Sequence, residues 1–252
     1  MSVRPGELHV HSEVRGTGPA VLLTHGFAAS SHMFASTVPA LAADHTVIVW
    51  DMPGHGRSDA PEDPAHYSVR SFLDAMLGML DAAGAERAVV LGHSLGGYLS
   101  LELALAHPDH VAGIVLVDTG PGYRSDAGRE DWNKMALQYA ENLERHGLDG
   151  LPAGAELSRG VHRSAAGLAL AARHVLTQRD AHVIDGLPSI TAPTLVVVGS
   201  EDAPFVKGSH YMASKIPNAT LAVIEGAGHA PPVSHPEEFN RVLRSFLEGL
   251  PR

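Results

Sequence analysis

Six apolar runs of strand length recur along this chain of 252 residues and constrain its fold more than any other feature. They span residues 20–24, 46–50, 88–91, 113–117, 194–198 and 220–224. Each run is almost continuously apolar, and most are rich in Val, instead of alternating apolar with polar residues. Continuous runs are typical of strands buried on both faces, as in a parallel sheet covered by helices.

Helical stretches lie between these runs, near 68–83, 95–106, 207–215 and 236–249. In the last stretch, Pro236 suits the first helical position, and the two glutamates after it complement the helix dipole. Alternating strands and helices predict an α/β fold with a doubly wound sheet. Residues 8–14 alternate apolar with polar positions, which predicts a half-exposed antiparallel strand at the edge.

The region 120–187 breaks this alternation because it contains no convincing strand. Trp132, Met135 and Tyr139 recur in it at helical spacing, and an Ala-rich helical stretch follows at about 165–177. We predict a helical cap over 120–187, inserted into a core domain made of 1–119 and 188–252. The Trp132–Leu143 stripe is expected to pack on the core, and Trp132, Met135 and Tyr139 are candidates for substrate binding.

Composition and motifs exclude several classes of function. The absence of Cys excludes disulfides, Cys metal sites and a thiol nucleophile, and a net charge of −10 argues against nucleic acid as a partner. Phosphate-cradling and dinucleotide motifs are missing, and no His cluster completes a metal site, so no cofactor and no metal are expected. No apolar run reaches the ~18 residues of a membrane span, and residues 1–7 have no signal-peptide core. A cytoplasmic protein is predicted.

The strongest chemical signal is Gly92-His93-Ser94-Leu95-Gly96, which follows the 88–91 run and opens the 95–106 helix. It fits the G-x-S-x-G nucleophile elbow, in which a sharp strand-to-helix turn exposes the serine hydroxyl. Flanking glycines let neighbouring backbone approach, and the helix N-terminus favours developing negative charge. The alternative interpretation is a Gly-rich turn with an incidental serine.

A serine nucleophile needs a base and an orienting carboxylate at the same edge of the sheet. His229 follows the 220–224 run on a Gly-rich loop, and Asp202 follows the 194–198 run. The chain order Ser94, Asp202, His229 is the nucleophile–acid–base order expected of this architecture. Glu201 and Asp118 remain alternatives for the acid, and a surface-loop histidine remains the alternative for His229.

Acyl transfer also needs two donors for the oxyanion. The backbone N–H of Leu95, directly after the nucleophile, is one candidate. The backbone N–H of Phe27, on the loop after the 20–24 run, is the other. We expect the His93 side chain to point away from the nucleophile. Three other histidines are expected to pack or form hydrogen bonds near the pocket: His25, His32 and His55.

Five segments, taken in order, resemble those of α/β-hydrolase-fold serine hydrolases of the single-domain kind with a helical cap. They are His25 to Phe27, Asp51 to Ser58, Gly92 to Gly97, Asp202 with Pro204, and Gly226 to His229. The resemblance implies a mostly parallel central sheet flanked by helices, with a helical cap insertion. It also implies that the 51–58 loop is structural, with Asp51 and Arg57 hydrogen-bonded locally. Ser234 stands where many relatives carry an acidic residue.

The predicted function is hydrolysis of a small to medium carboxylic ester through an acyl-enzyme on Ser94. A serine at the elbow disfavours the dehalogenases and epoxide hydrolases of the family, which attack through an aspartate. The same triad could cleave a C–C bond, open a lactone or act as a perhydrolase, and some relatives are small-ligand receptors with slow turnover. The expected partner is a small-molecule acyl substrate, and no oligomeric state is predicted.

Overall fold

The computed structural model describes residues 8–151 and 161–250, whose strands form one seven-stranded sheet. The strands are β1 (Ser12–Arg15), β2 (Ala20–Thr24), β3 (Thr46–Trp50), β4 (Ala88–His93), β5 (Val111–Val117), β6 (Thr194–Gly199) and β7 (Ala219–Ile224). Their order across the sheet is β1-β3-β2-β4-β5-β6-β7. β1 is antiparallel to β3, and all other neighbours are parallel. The predicted fold class is confirmed.

The central strands are covered on both faces. Every residue of β2, β4 and β6 is buried. Successive side chains of β2 enter different hydrophobic clusters, Leu22 on one side of the sheet and Val21 and Leu23 on the other. Burial on both sides removes the need for polar positions, which explains the continuous apolar runs.

The two edge strands differ from the sequence-based expectation. β1 is the antiparallel edge, but it begins at Ser12 because residues 9–11 hydrogen-bond the 51–59 loop instead: His11 N–H donates to Ser58 Oγ. β7 was expected to be buried on both faces, yet only Ile224 of it is buried. An apolar run alone therefore does not establish that both faces of a strand at the sheet edge are covered.

Helices flank the sheet and join its strands. They are α1 (Thr37–Leu41), α2 (Val69–Ala82), α3 (Leu95–Ala106), α4 (Asp126–His146), α5 (Ala165–Ala171), α6 (His182–Gly186), α7 (Ala203–Lys215), α8 (Pro231–Ser234) and α9 (Pro236–Glu248). Nine of the twelve residues of α3 are buried, so the helix after the elbow lies in the core. α9 buries one face, through Phe239, Leu243 and Leu247.

The segment between β5 and β6 contains α4, α5 and α6, and a π-helical turn over Ala172–Leu176 extends α5. No strand occurs in its described parts, 120–151 and 161–187. Residues 152–160 of the predicted cap lie outside the described residues. Within the described ranges no helix is both long and apolar enough to cross a membrane.

The parallel strands bring six loops to one edge of the sheet. The loops after β2, β3, β4, β5, β6 and β7 begin at the carboxyl ends of these strands. In open α/β sheets this edge is where ligands bind. The fold therefore gathers there the loops that carry Phe27, Ser94, Asp118, Asp202 and His229.

Candidate active site

Ser94 occupies a strained turn between β4 and α3. Its backbone has φ 50° and ψ −115°, a region that residues other than Gly rarely adopt. The turn is held by Ser94 N–H, which donates to Val117 O at 2.9 Å. Gly96 permits it, because a Cβ there would lie 2.3 Å from Thr24 O. The Ser94 side chain is left partly exposed at the cavity described below, as the elbow geometry requires.

His229 and Asp202 are hydrogen-bonded to each other. His229 Nδ1–H donates to Asp202 Oδ2 at 2.8 Å, the Asp202 side chain being 6% exposed and that of His229 43%. This bond selects the tautomer whose Nε2 can accept a proton. The alternative acid Glu201 is exposed. The Ser94 hydroxyl makes no hydrogen bond to His229 among the described residues, and such bonds often tighten only when substrate is bound.

The His93 side chain contacts the loop that carries His229, a contact that the sequence did not indicate. Its Nε2–H donates to the His229 backbone carbonyl at 2.6 Å, and the two rings lie 4.8 Å apart. The Phe205 ring stacks on the His229 ring, also at 4.8 Å between centroids. The elbow turns the Ser94 side chain to the cavity and leaves its neighbour facing the β7 loop. His93 and Phe205 thus hold the His229 loop in place.

The two predicted oxyanion donors are available for a ligand. Neither the Phe27 nor the Leu95 backbone N–H donates to another described protein group. Gly26 lets their loops approach, since a Cβ on it would lie 3.0 Å from Ser94 Cβ. Ala28, next to Phe27, has φ 56°, a further strained residue at this sheet edge. Unpaired N–H groups beside the elbow are what oxyanion stabilisation requires.

Three buried histidines lie behind the Phe27 loop. His25 Nδ1–H donates to Gly26 O at 2.7 Å, and His25 Nε2 accepts from Met52 N–H at 3.0 Å. The His55 ring lies 5.2 Å from that of His25 and 6.0 Å from that of His162. These contacts agree with the packing and hydrogen-bonding role expected for His25 and His55. His162, from the predicted cap, has no sequence signal that connects it to this group.

Burial lowers the pKa of these three histidines and of His93. It lowers the pKa of His25 to about 4 and that of His93 to about 3, and it lowers the pKa of His55 and His162 as well. All four rings are therefore neutral at pH 7. In the unfolded chain a histidine takes up its proton near pH 6.5.

We expect the free energy of unfolding to fall steeply as the pH drops from 6.5 towards 4. In this range the histidines are protonated in the unfolded chain but stay neutral in the native state. Each such histidine lowers the free energy of unfolding by about 1.4 kcal/mol per pH unit. Urea unfolding at pH 7, 6 and 5 measures the effect, with light scattering to detect precipitation near the isoelectric point of about 5.9. Equal stability at pH 7 and pH 5 would contradict this prediction.

A cavity of about 390 Å³ opens at Ser94. Its walls are chiefly apolar and carry five aromatic side chains, Tyr98, Tyr123, Trp132, Phe205 and Tyr211. Lys207 is the one charged side chain among its described lining residues. Described residues within the 120–187 segment and residues outside it both line the cavity. The cavity therefore lies between this segment and the core domain.

The three candidate substrate-binding residues are placed differently. Trp132 lines the cavity, and its Nε1–H donates to Leu176 O at 2.7 Å. Met135 and Tyr139 are not among the described lining residues. Tyr139 instead stacks on Phe27, with ring centroids 6.0 Å apart. Two residues of α4 thus have different surroundings: Trp132 faces the cavity, and Tyr139 packs against the Phe27 loop.

Asp118 lies beside the Asp202–His229 pair. One ligand atom from each of these three residues lies within 4.8 Å of the others. The set could hold a metal ion by distance alone, but His229 Nδ1 and Asp202 Oδ2 already bond to each other. Strand order explains the proximity: β5 and β6 are neighbours, so the ends of both reach the same place.

Comparisons with known proteins identify the family. The α/β hydrolase fold family matches over residues 19–158. The chain is 31% identical to a putative carbamate hydrolase RutD of Pseudomonas savastanoi pv. phaseolicola, over 95% of this chain and 98% of that protein. It is 33% identical to a pimeloyl-(acyl-carrier protein) methyl ester esterase of Neisseria meningitidis, over 91% and 94%.

A solved structure agrees with this assignment. A thermophilic esterase from Thermogutta terrifontis superposes with a TM-score of 0.85 at 29% identity, covering 98% of this chain and 96% of that one. The fold, the family match and these relatives lead to one conclusion. The chain is a hydrolase and belongs to the α/β hydrolase fold family.

Proposed function

We propose that this protein is a serine hydrolase that cleaves carboxylic esters through an acyl-enzyme on Ser94. The observation that carries the proposal is the 2.8 Å hydrogen bond between His229 and Asp202, at the sheet edge where Ser94 faces an apolar cavity. The two free N–H groups of Phe27 and Leu95 support it. Similarity to a methyl ester esterase and to a solved esterase supports the ester as the substrate bond.

The proposed reaction has two halves. Ser94 Oγ attacks the ester carbonyl carbon while His229 Nε2 accepts the hydroxyl proton, and the Phe27 and Leu95 N–H groups bind the oxyanion. The tetrahedral intermediate collapses, and the alcohol leaves with the proton from His229. Water then attacks the acyl-enzyme with His229 again as the base, releasing the acid and free Ser94. Asp202 holds the tautomer and stabilises the imidazolium.

The cavity supports a substrate of small to medium size with an apolar or aromatic group. Its volume of about 390 Å³ and its five aromatic side chains favour such a group over a strongly polar one. We therefore propose that the 120–187 segment acts as a cap that supplies part of the substrate site. A small-molecule acyl compound is the proposed partner.

A panel of p-nitrophenyl esters of graded acyl length tests the proposal. Continued turnover after an initial burst of nitrophenol is expected, because deacylation follows acylation. A stop after about one equivalent would instead indicate a receptor. Adding a lactone and a carbamate to the panel distinguishes ester hydrolysis from hydrolysis of these two related bonds. The lactone is included because a solved structure 28% identical to this chain is that of an N-acyl homoserine lactone degrading enzyme. No turnover of any ester would contradict the proposal.

Trp132→Ala should lower kcat/KM more for long or aromatic acyl groups than for acetate. The indole lines the cavity, and its loss removes apolar contacts worth roughly 1–3 kcal/mol, or about 5–150-fold, for the larger substrates. Leu137→Ala is the matched control, because Leu137 is an exposed residue of the same helix. The ratio of kcat/KM values across the panel is the measurement. An equal change for all acyl lengths in Trp132→Ala would contradict this assignment.

A further inference from the structure

Asp118 is a fully buried carboxyl group for which the proposed reaction has no use. It follows β5, has a relative exposure of 0%, and adopts φ 44°, a strained conformation for a residue other than Gly. Asp and Asn tolerate this region better than other side chains do. A buried carboxylate is costly unless both of its oxygens have partners. The partners of the two Asp118 carboxyl oxygens therefore determine whether the group can be ionised.

Only one oxygen of this carboxyl group has a donor. Asp118 Oδ1 accepts from the Gly199 N–H at 2.9 Å. Asp118 Oδ2 is buried and has no hydrogen-bond partner among the described residues. The side chain nevertheless lies beside Asp202, which is itself buried and already accepts from His229. Two ionised carboxylates so placed would repel each other, whereas one shared proton satisfies both.

We infer that Asp118 is a neutral carboxylic acid that donates its proton to Asp202, making it a positioning residue for the proposed Asp202–His229 pair. The inference rests on the proposed function for its effect on activity, but not for the protonation itself. Asp202 would then accept from two sides, from Asp118 and from His229 Nδ1–H. A carboxylate held at both ends cannot rotate away from the imidazole, so the His229 tautomer stays fixed.

The surroundings of Asp118 explain why the proton resides there. Burial, followed by the neighbouring Asp202, raises the pKa of Asp118 to about 8. Asp202 accepts a hydrogen bond from the His229 imidazole, whereas Asp118 accepts from one backbone amide, so we assign the shared proton to Asp118. His93, from β4, is a further titratable group that interacts with Asp202. Burial lowers the pKa of His93 to about 3, so His93 brings no positive charge that would ionise Asp118.

Infrared spectroscopy tests the protonation directly. The wild-type protein at pH 6 should show the C=O stretch of a protonated carboxyl group, and Asp118→Asn should abolish it. Asp202→Asn should shift the band, because the acceptor of the proposed hydrogen bond changes from a carboxylate to an amide. Glu201→Gln, at an exposed neighbour of Asp202, is the matched control and should leave the band. Absence of the band in wild type, or its survival in Asp118→Asn, would overturn the inference.

Thermal stability gives a second readout of the protonation of Asp118. Between pH 4 and pH 8 Asp118 keeps a proton in native wild type that it has lost in the unfolded chain, so the contribution of this one group to stability falls as the pH rises. Asp118→Asn has no such proton. Its Tm relative to wild type should therefore increase steadily from pH 4 to pH 8 and then level off. A Tm difference that is constant over this range would contradict a protonated Asp118.

Activity completes the test. Asn can donate an amide N–H to Asp202, so Asp118→Asn should keep kcat within about threefold of wild type. Asp118→Ala removes the donor and should lower kcat about tenfold or more, the scale of one lost hydrogen bond to a charged group. Equal loss in both variants would overturn the positioning role.

Activity lost to a chelator and restored by zinc would show that a cation, not a proton, lies between the carboxylates. The infrared band reports on Asp118 even if the protein hydrolyses no ester, so the two proposals can fail separately.

Discussion

Ser94→Ala is expected to lower kcat for ester hydrolysis by on the order of 10³–10⁶ while leaving the fold intact. The hydroxyl is the attacking atom, and no other described side chain occupies the strained turn that presents it. The residual rate should come from the oxyanion donors and from substrate binding alone. Steady-state kinetics on the best ester of the panel measures the loss, with circular dichroism to verify folding. Loss of His229 should cost a similar factor, because the two groups act as a unit.

Covalent labelling provides an independent measure of the same assignment. A fluorophosphonate probe should modify wild type with a stoichiometry of one, and peptide mass spectrometry should place the adduct on Ser94. Ser214→Ala is a suitable control, since Ser214 is an exposed serine on α7 whose hydroxyl donates to Tyr211 O. Labelling of Ser94→Ala at the wild-type level would show that the nucleophile lies elsewhere.

Asp202→Asn should lower kcat by up to ~10⁴ without unfolding the protein. In wild type the carboxylate accepts from His229 Nδ1–H, which leaves Nε2 free to take the serine proton. An Asn amide can donate to Nδ1, which places the imidazole proton on Nε2, where it cannot act as a base. The defect should therefore appear in kcat more than in KM, because substrate contacts are unchanged.

Two matched variants make the Asp202 result specific. Glu201→Gln should retain most of the activity, because the Glu201 side chain is exposed and it is Asp202 that accepts from His229. Asp118→Asn should also retain most of it, as the neutral amide replaces a neutral carboxylic acid. If Asp118→Asn were crippled and Asp202→Asn nearly normal, the acid would belong to the end of β5, not of β6.

The fold and the position of the site could be predicted from local sequence. Apolar runs bounded by helical stretches specify a sheet buried on both sides, and the structure has strands at all six. The elbow around Ser94 is local as well, because its glycines act within one turn. Chain order alone indicated Asp202 and His229, since adjacent parallel strands end at the same edge. Their proximity is a direct consequence of strand connectivity.

What only the tertiary structure decided depends on distant contacts. Strand order brings Asp118 beside Asp202, although 84 positions separate them, and burial followed by this neighbour raises the pKa of Asp118. The turn at Ser94 directs His93 to the His229 carbonyl, and packing brings His162 to the histidines behind Phe27. Periodicity reports which side of an element is buried, not what it is buried against. The sequence by itself therefore determined the sheet and the elbow, while the hydrogen bonds that hold the candidate site depended on which elements became neighbours.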